Sequence, residues 1–462
     1  MYKEILTVGI APTKRGFLSM TEAKRQKDRF MGAISEIKPD FVRMVNLDDV
    51  CENGILWDLK DLTSAIEKFR SAGIDALFIP FCDFGEEQAV LGIASAFKVP
   101  VLVWGARDER PNTDAGRGRD TQCGMFASTK VLRRRGVQYS YIFNCETESD
   151  TFRTGYKRFL SVAAILKSFK NLKIAKIGER PGPFLSVMTN EANLGKHFGV
   201  TTVPVSPYSL AKLVNKMIEE NDPEFLAYYK EYTVRVDCNG TPEEQVKKTT
   251  GLKIAIKRML DETGCTTAAV ECWPGMLEIL GIVPCMALGE LSDIGLPVAC
   301  ETDINGAITM AILRACALYE EPVFLADLTI RHPENDNAEL LWHCGPFPYS
   351  LKSSDSKPRL VDMMERFELK QGELTICRFD DIDGEYYLFA GEGKSTTGPE
   401  TTGTYIWLEV DDWKRWEEKL MFGPYIHHVG CVYGRYLPIL REVARYLGIK
   451  FDSAEEQGIH SL

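Results

Sequence analysis

Short apolar runs alternate with amphipathic stretches over the first 145 residues of the chain. Strand-like runs at residues 5–10, 76–80 and 99–104 are separated by segments at 20–38 and 86–97, where apolar positions recur with helical spacing. Strands that alternate with helices in this way predict a parallel sheet with crossover helices. Such sheets bind ligands at the carboxyl ends of their strands, so the loops that follow these strands are candidate ligand loops.

The same alternation continues to about residue 319, with a strand predicted at 173–177 and a helix at 185–198. Beyond residue 320, strand-like runs follow one another without long helices until a closing helix predicted at 433–447, which indicates an antiparallel sheet or barrel. The pattern therefore predicts an α/β protein with two Rossmann-like parallel-sheet domains and a β-rich, barrel-like C-terminal domain. The predicted domain bounds are 1–145, 146–319 and 320–462.

Charge and cysteine content exclude several classes of protein. The chain has 55 Lys and Arg against 66 Asp and Glu, a net charge of -11, which argues against nucleic acid or an anionic membrane as partner. Its 13 cysteines form no C-x-x-C pair, as is typical of reduced intracellular thiols. No apolar run approaches about 18 residues, and the first is too short for a signal peptide. We therefore expect a cytoplasmic protein.

Two groups of carboxylates stand at chemically informative places. Glu301, Asp303 and Asn305 follow an apolar strand and open a helix, where α/β proteins place ligands, although Asp303 could equally cap that helix. Asp327 lies in the middle of an apolar strand, where a charge is costly unless it is paired or bound to a metal. The alternative for Asp327 is a strand with one solvated face.

Histidine is scarce, with six in 462 residues. His343 ends a strand, and the neighbouring His427 and His428 precede the last helix; a structural role is the common alternative for each. Adjacent side chains in a strand point to opposite faces, so we expect at most one of His427 and His428 to reach a given site directly. Carboxylates with imidazoles predict mixed oxygen and nitrogen ligation, which suits Mn²⁺, Fe²⁺, Co²⁺ or Zn²⁺.

Three short motifs follow one another along the chain: Glu301-Thr-Asp-Ile-Asn-Gly306, then Ala326-Asp327, then His428 with Tyr433-Gly434 before the terminal helix. Together they resemble the L-fucose isomerase/L-arabinose isomerase superfamily, with a weaker similarity in the N-terminal loops. The resemblance implies an aldose–ketose isomerase with a divalent ion, usually Mn²⁺ and alternatively Co²⁺, Fe²⁺ or Mg²⁺. Its implied ligands are Glu301, Asp327 and His428.

The resemblance also implies roles for further residues. His343 matches a ligand of the arabinose branch that the fucose branch lacks. His427 stands where fucose isomerases have a substrate-binding Asn, and Glu87 lies in a loop similar to the family's substrate-side loops. The family is oligomeric, usually hexameric, with N-terminal loops that complete a neighbour's site. We therefore expect His427 and Glu87 to bind substrate, and we expect a homo-oligomer.

The chemistry implied for the motifs is proton transfer between C1 and C2 of a sugar through a cis-enediolate. Glu301 and Asp327 are predicted to move the proton, while His428 holds the metal, which stabilises charge on two neighbouring oxygens. Two alternatives stay open at this point. A metal-dependent aldolase or lyase also forms an enediolate, and a non-catalytic sugar-binding protein could be built from two α/β domains.

Aromatic and basic side chains bear on the choice of sugar. Trp104, Trp273 and Trp342 are candidate platforms for a sugar ring, with core packing as the alternative for each. The segment 107–119 carries four arginines, among them Arg110, which could bind an anionic group through its planar fork. A sulfonated sugar such as sulfoquinovose would fit such a pocket, and a solvated loop is the alternative.

Overall fold

The computed structural model describes residues 3–111, 118–170 and 172–457, and it divides the chain into two compact units. The first unit comprises residues 3–167 and the second begins at residue 168. The sheets are two parallel sheets and one large mixed sheet, which confirms the predicted α/β class. The thirteen cysteines are all free thiols.

The first unit is built around a five-stranded parallel sheet in the order β2-β1-β3-β4-β5, which is the order of flavodoxin-like doubly wound folds. Its strands are β1 (Leu6–Ile10), β2 (Val42–Val45), β3 (Ala76–Phe81), β4 (Val101–Gly105) and β5 (Ser140–Tyr141). Its helices are α1 (Met20–Ile37), α2 (Leu62–Ala72), α3 (Glu87–Ser95), α4 (Thr121–Arg134) and α5 (Asp150–Phe169), the last of which runs into the second unit.

Helix α5 belongs largely to this first unit, although the sequence analysis placed it in the second domain. Its Phe152 packs on Trp104 of β4 with ring centroids 4.2 Å apart, and its Tyr156 packs on Phe78 of β3 at 5.5 Å. These aromatic side chains are all fully buried. The apolar surface that these rings bury stabilises the packing of α5 on the first sheet, so the helix belongs to the first unit despite its later place in the sequence.

The second unit begins with a four-stranded parallel sheet in the order β10-β9-β6-β7. Its strands are β6 (Lys173–Ile177), β7 (Thr201–Val205), β9 (Thr267–Val270) and β10 (Val298–Cys300), while β8 (Asp237–Gly240) joins the mixed sheet. The helices are α6 (Glu191–Phe198), α7 (Pro207–Glu219), α8 (Pro223–Arg235), α9 (Glu243–Thr263), α10 (Leu277–Leu280), α11 (Cys285–Asp293) and α12 (Ile304–Cys316).

The mixed sheet contains a closed ring of six antiparallel strands, because β16 pairs with both β15 and β17 in the cycle β16-β15-β18-β11-β12-β17. The strands are β11 (Val323–Arg331), β12 (Ala338–His343), β13 (Arg359–Val361), β14 (Met364–Glu368), β15 (Glu373–Ile382), β16 (Glu385–Thr396), β17 (Thr404–Glu409), β18 (His428–Tyr433) and β19 (Lys450–Ser453). Helices α13 (Trp413–Phe422) and α14 (Leu437–Leu447) accompany them.

Two helices are shorter than the apolar spacing predicts. The helix predicted at 185–198 begins only at Glu191, because the Asn190 side chain caps it by accepting the Asn193 N–H. Residues 178–190 instead form a loop with one short turn, Leu185–Val187. The closing helix begins at Leu437 rather than at 433, since Tyr433 still pairs within the barrel as the last residue of β18.

Membrane-spanning segments were tested over the described residues. There, no helix taken singly combines the length and apolar character needed to cross a bilayer. Cys272–Leu280 and Cys285–Asp293 pass the same test only as a pair, and that pair is bent by 106°.

Candidate functional site

Strand register in the second unit brings Asp327 and His428 together. Asp327 on β11 is directly opposite His428 on β18 in the antiparallel ladder, and Trp342 on β12 faces Asp327 from its other side. Directly opposed residues of an antiparallel pair project from the same face of the sheet. The Oδ1 of Asp327 accordingly lies 3.5 Å from the Nε2 of His428.

Glu301 reaches the same place from the end of the parallel strand β10. Glu301 and Thr302 both adopt left-handed backbone conformations, with φ of 60° and 54°, which non-glycine residues rarely adopt. Thr302 holds this turn, since its N–H donates to the Val270 carbonyl at 3.0 Å and its hydroxyl to the Glu179 carbonyl at 2.9 Å. The turn places the Oε2 of Glu301 2.9 Å from the Nε2 of His428.

Three polar atoms that meet here are buried and have no hydrogen-bond partner among the described residues: Glu301 Oε2, Asp327 Oδ1 and His428 Nε2. The Nε2 of His343, 4.0 Å from Asp327 Oδ1, is a fourth such atom. Leaving a buried polar atom unpaired costs about 1–3 kcal/mol, and native proteins keep few such atoms. Two carboxylate oxygens and one imidazole nitrogen aimed at one point match the mixed donor set that first-row divalent ions accept. The residues present therefore fit a divalent metal ion.

His427 also faces this point, which corrects the expectation that only one of the paired histidines could reach it. Ligand atoms of Asp327, His427 and His428 lie within 4.8 Å of one another. The strand β18 begins only at His428, so the alternation of side chains along a strand does not separate the two rings. Their centroids are 4.4 Å apart, with His428 buried and His427 exposed at the mouth of the site.

Hydrogen bonding leaves the Nε2 of His428 available as a ligand. Its Nδ1 lies 2.9 Å from the Oδ2 of Asp303, and a carboxylate can only accept, so Nδ1 carries the proton. Burial opposes a charge on this ring, but the hydrogen bond to Asp303 and the adjacent carboxylates of Glu301 and Asp327 raise the pKa of His428 to about 9, so a bound metal ion would displace the proton from Nε2. Burial would also raise the pKa of Asp303, but Arg378 and His428 hold it well below its usual value.

His343 has the opposite arrangement. Its Nδ1 accepts the backbone N–H of Cys344 at 2.9 Å, so the neutral ring has its proton on Nε2, which lies 4.0 Å from the Oδ1 of Asp327. Burial lowers the pKa of His343, but Asp327, Cys344 and Glu301 together outweigh burial and raise that pKa to about 10. Both the neutral and the cationic ring thus carry a proton on Nε2. This arrangement favours a charged neighbour of Asp327 over a metal ligand.

Aromatic rings line the site beside the three candidate ligands. The half-buried Phe184 lies 6.2 Å from the His428 ring at an interplanar angle of 25°, and 5.7 Å from the Trp273 ring. Trp273 is 38% exposed, and its indole N–H donates to the Oε1 of Glu301 at 3.5 Å. Trp273 therefore presents an exposed ring beside Glu301, and its predicted role as a sugar platform stays a prediction.

The loop at 178–190, which carries Phe184, is tied to the motif at both ends. The Glu179 carbonyl accepts the Thr302 hydroxyl near its start, and the Thr189 hydroxyl donates to Asn305 at 3.3 Å near its end. Arg180 on this loop donates only to the carbonyls of Pro181 and Gly182, and it forms no ion pair within the described part of the chain. The loop that borders the site therefore carries a guanidinium, that of Arg180, which pairs with no carboxylate of the described residues.

The predicted substrate residues of the N-terminal segment lie in the first unit. Trp104 is fully buried between Phe152 and Phe30, so it packs the core and presents no ring face to a sugar. Glu87 begins α3 and pairs with Arg15 at 3.3 Å. Arg110 is exposed, and Arg117 of the same arginine-rich segment lies outside the described residues.

Two residues of the site were missed at the level of sequence. Arg378 is fully buried in the apolar strand β15 and contacts Asp303 through both terminal nitrogens. Its signal was a charge inside an apolar strand, the same signal that singled out Asp327. Phe184 gave no signal, because an aromatic residue in a loop is unremarkable until its neighbours are known.

The chain is similar in sequence to two family models and to several known isomerases. A family model for the fucose/sulfoquinovose isomerase N-terminal domain matches residues 9–170, and one for the L-fucose isomerase C-terminal domain matches residues 365–455. Sulfoquinovose isomerases from Priestia aryabhattai and Priestia megaterium are each 26% identical over 405 residues, which cover 86% of this chain and 89% of each relative. The sulfoquinovose isomerase of Alkalicoccus urumqiensis is 26% identical over 71% of this chain and 73% of its own length. The chain thus belongs to the L-fucose isomerase-like family, and it is an aldose–ketose isomerase.

Proposed function

We propose that this isomerase interconverts sulfoquinovose and its ketose at a divalent metal centre made by Glu301, Asp327 and His428. The convergence of their three partnerless buried atoms carries the proposal. The substrate is proposed because the matching relatives are named sulfoquinovose isomerases and the N-terminal model covers that group. We propose Mn²⁺ as the working ion, since it accepts this mixture of carboxylate and imidazole donors.

The reaction needs a proton moved between C1 and C2 and charge stabilised on two neighbouring oxygens. A divalent ion bound by these side chains would supply Lewis acidity to those oxygens. Glu301 and Asp327 flank the His428 Nε2 at 2.9 and 3.5 Å, so both carboxylates border the space where C1 and C2 would lie. We assign the proton transfer to this pair.

The surroundings of the two carboxylates differ, which suits them to different tasks. Burial disfavours the charge on Glu301, but His428 and His343 outweigh burial and hold the pKa of Glu301 below its usual value. Glu301 is therefore ionised and able to accept a proton. Asp327 instead faces the proton on the His343 Nε2 at 4.0 Å, so a proton can be held on that side of the site. His343 acts as a cationic neighbour of Asp327 in this proposal.

A sulfonate needs a cation, and Arg180 is the residue to which we assign that contact. It lies four residues before Phe184 on the loop tied to Thr302 and Asn305, and no carboxylate of the described residues neutralises it. Its planar fork matches the oxygens of a sulfonate. Arg110, favoured by the sequence, is the competing assignment. His427 at the mouth of the site is proposed to contact the sugar.

The proposal is tested by incubating chelator-treated protein with sulfoquinovose, L-fucose or L-arabinose, with and without added Mn²⁺. We expect a sulfonated ketose, detected by NMR, only from sulfoquinovose and only with Mn²⁺. Equal conversion in excess chelator would reject the metal, and conversion of the neutral sugars alone would reject the substrate. Three-carbon products would favour an aldolase, because isomerisation conserves the carbon count. Light scattering tests the homo-oligomer, a hexamer by analogy with the family.

A further inference from the structure

We infer that Asp303, clamped by Arg378, is a positioning residue that fixes the tautomer and orientation of His428. The inference rests on the proposed metal centre and adds to it a residue that does not touch the metal. Asp303 is the first residue before α12, where a carboxylate is expected to do no more than cap the helix. Its contacts extend well beyond that role.

The carboxylate of Asp303 is fully buried and accepts four hydrogen bonds. Oδ1 accepts the Gly306 N–H at 2.8 Å, which is the helix cap, and Arg378 Nη2 at 3.1 Å. Oδ2 accepts Arg378 Nη1 at 2.5 Å and His428 Nδ1 at 2.9 Å. A Cβ at position 306 would lie 2.6 Å from Oδ2, so only glycine leaves room for the carboxylate in this orientation. A helix cap alone would need one of these four bonds.

Arg378 is itself held in place from the other side. It is fully buried, and its Nε donates to the Oδ2 of Asp380 at 2.8 Å, while the other oxygen of Asp380 accepts the Asn305 amide at 2.9 Å. Burying a guanidinium with two carboxylates is costly, and capping a helix does not require it. The network does, however, prevent the Asp303 carboxylate from rotating away from His428.

This clamp determines which nitrogen of His428 faces the site. Because both oxygens of Asp303 can only accept, Nδ1 of His428 must carry a proton, and Nε2 is the nitrogen that faces Glu301 and Asp327 and would give up its proton to a bound metal ion. Partners of this kind set ring orientation and raise the basicity of metal-binding histidines. His343, whose Nδ1 accepts a backbone N–H, shows that a buried histidine beside the same site adopts the opposite arrangement without such a carboxylate.

The test compares Asp303→Asn with a matched control. Asparagine keeps an oxygen for the Gly306 cap, but it loses the charge and can present an amide N–H to His428, which favours the wrong tautomer. We expect the Kd for Mn²⁺, measured by calorimetry on metal-free protein, to rise about 10–100-fold. Asp222→Asn is the control, because Asp222 caps α8 and accepts two bonds of 2.9 Å from Arg258 outside the site. It should lower Tm and leave the Kd for Mn²⁺ within about twofold.

A second measurement needs no variant. In wild-type protein loaded with diamagnetic Zn²⁺, ¹⁵N NMR should show the His428 ring protonated on Nδ1 and not on Nε2. A folded Asp303→Asn protein that binds Mn²⁺ like wild type would overturn the inference. If that variant does not fold, a His428 ring without a proton on Nδ1 overturns it. Wild-type protein that binds neither Mn²⁺ nor Zn²⁺ would instead refute the proposed metal centre itself.

Discussion

The Nε2 of His428 lies 2.9 Å from the Oε2 of Glu301, although one residue begins a barrel strand and the other follows a parallel strand. Neither atom has a hydrogen-bond partner in the part of the chain that the structure describes. The contact therefore joins the second parallel sheet to the barrel through two atoms that a cation would satisfy. The predictions below separate the roles of the residues around that contact.

Asp327→Asn should leave the protein folded and remove metal binding. The amide occupies the same volume but lacks the negative charge, so we expect the Mn²⁺ affinity and the rate of ketose formation each to fall by more than about 100-fold. Calorimetry and an NMR assay of product measure the two losses. Asp336→Asn is the control, because Asp336 is fully exposed. Full activity of Asp327→Asn without bound metal would contradict the assignment.

Single replacements of His427 and His428 should have different effects on metal binding and on KM. His428→Ala removes the buried imidazole beside Glu301 and should abolish measurable Mn²⁺ binding. His427→Ala removes an exposed ring at the mouth of the site, so we expect KM to rise while the Kd for Mn²⁺ changes by less than about threefold. Loss of Mn²⁺ binding in both variants would instead favour Asp327, His427 and His428 as the ligand set, an arrangement that their mutual distances also permit.

Arg180→Ala tests the assignment of the sulfonate contact. Loss of a charged, bidentate partner should raise KM for sulfoquinovose by about 10–100-fold. Turnover of a neutral aldose, if it is measurable, should change little, because such a substrate lacks the sulfonate. Arg110→Ala is assayed in parallel as the competing assignment. If only Arg110→Ala raises KM for sulfoquinovose, the sulfonate contact belongs to the first unit.

Glu339 should make stability depend on pH. Burial raises the pKa of this β12 carboxyl to about 7, and Arg331, at 3.9 Å, only partly offsets burial. Because the folded state retains a proton that the unfolded chain releases above its ordinary pKa of about 4.5, stability is lost as pH rises from 4.5 towards 7. Glu339→Gln should therefore raise Tm at pH 8 by about 1–2 °C, near 1 kcal/mol after allowance for solvent screening.

At pH 4.5 the same substitution should have little effect on Tm, because Glu339 is then protonated in the folded and unfolded chain alike. Thermal melts at the two pH values measure the difference. Glu334→Gln is the matched control, since Glu334 is an exposed residue of the loop before β12. An equal gain in Tm for Glu339→Gln at both pH values would show that the carboxyl does not titrate as described.

Much of the architecture followed from local patterns. Alternating apolar runs and amphipathic helices predicted the α/β class, because side-chain periodicity records which face of an element is buried. The costly charge of Asp327 in an apolar strand, and the Glu301 motif between a strand and a helix, singled out two residues that the structure brings close to His428. The predicted start of α6 at residue 185 was wrong. The helix begins at Glu191, because the Asn190 side chain caps it there despite the apolar spacing of the preceding residues.

The sequence by itself determined the residue types of the site and the elements that carry them. Only the tertiary structure decided how they meet: that His427 and His428 face one point, that Asp303 binds His428 as well as capping α12, and that Trp104 lies in a core. Such relations depend on strand register, on the left-handed turn at Glu301 and on hydrogen bonds between distant segments. Periodicity along the chain carries no record of these contacts, because each is set by the packing of elements far apart in sequence.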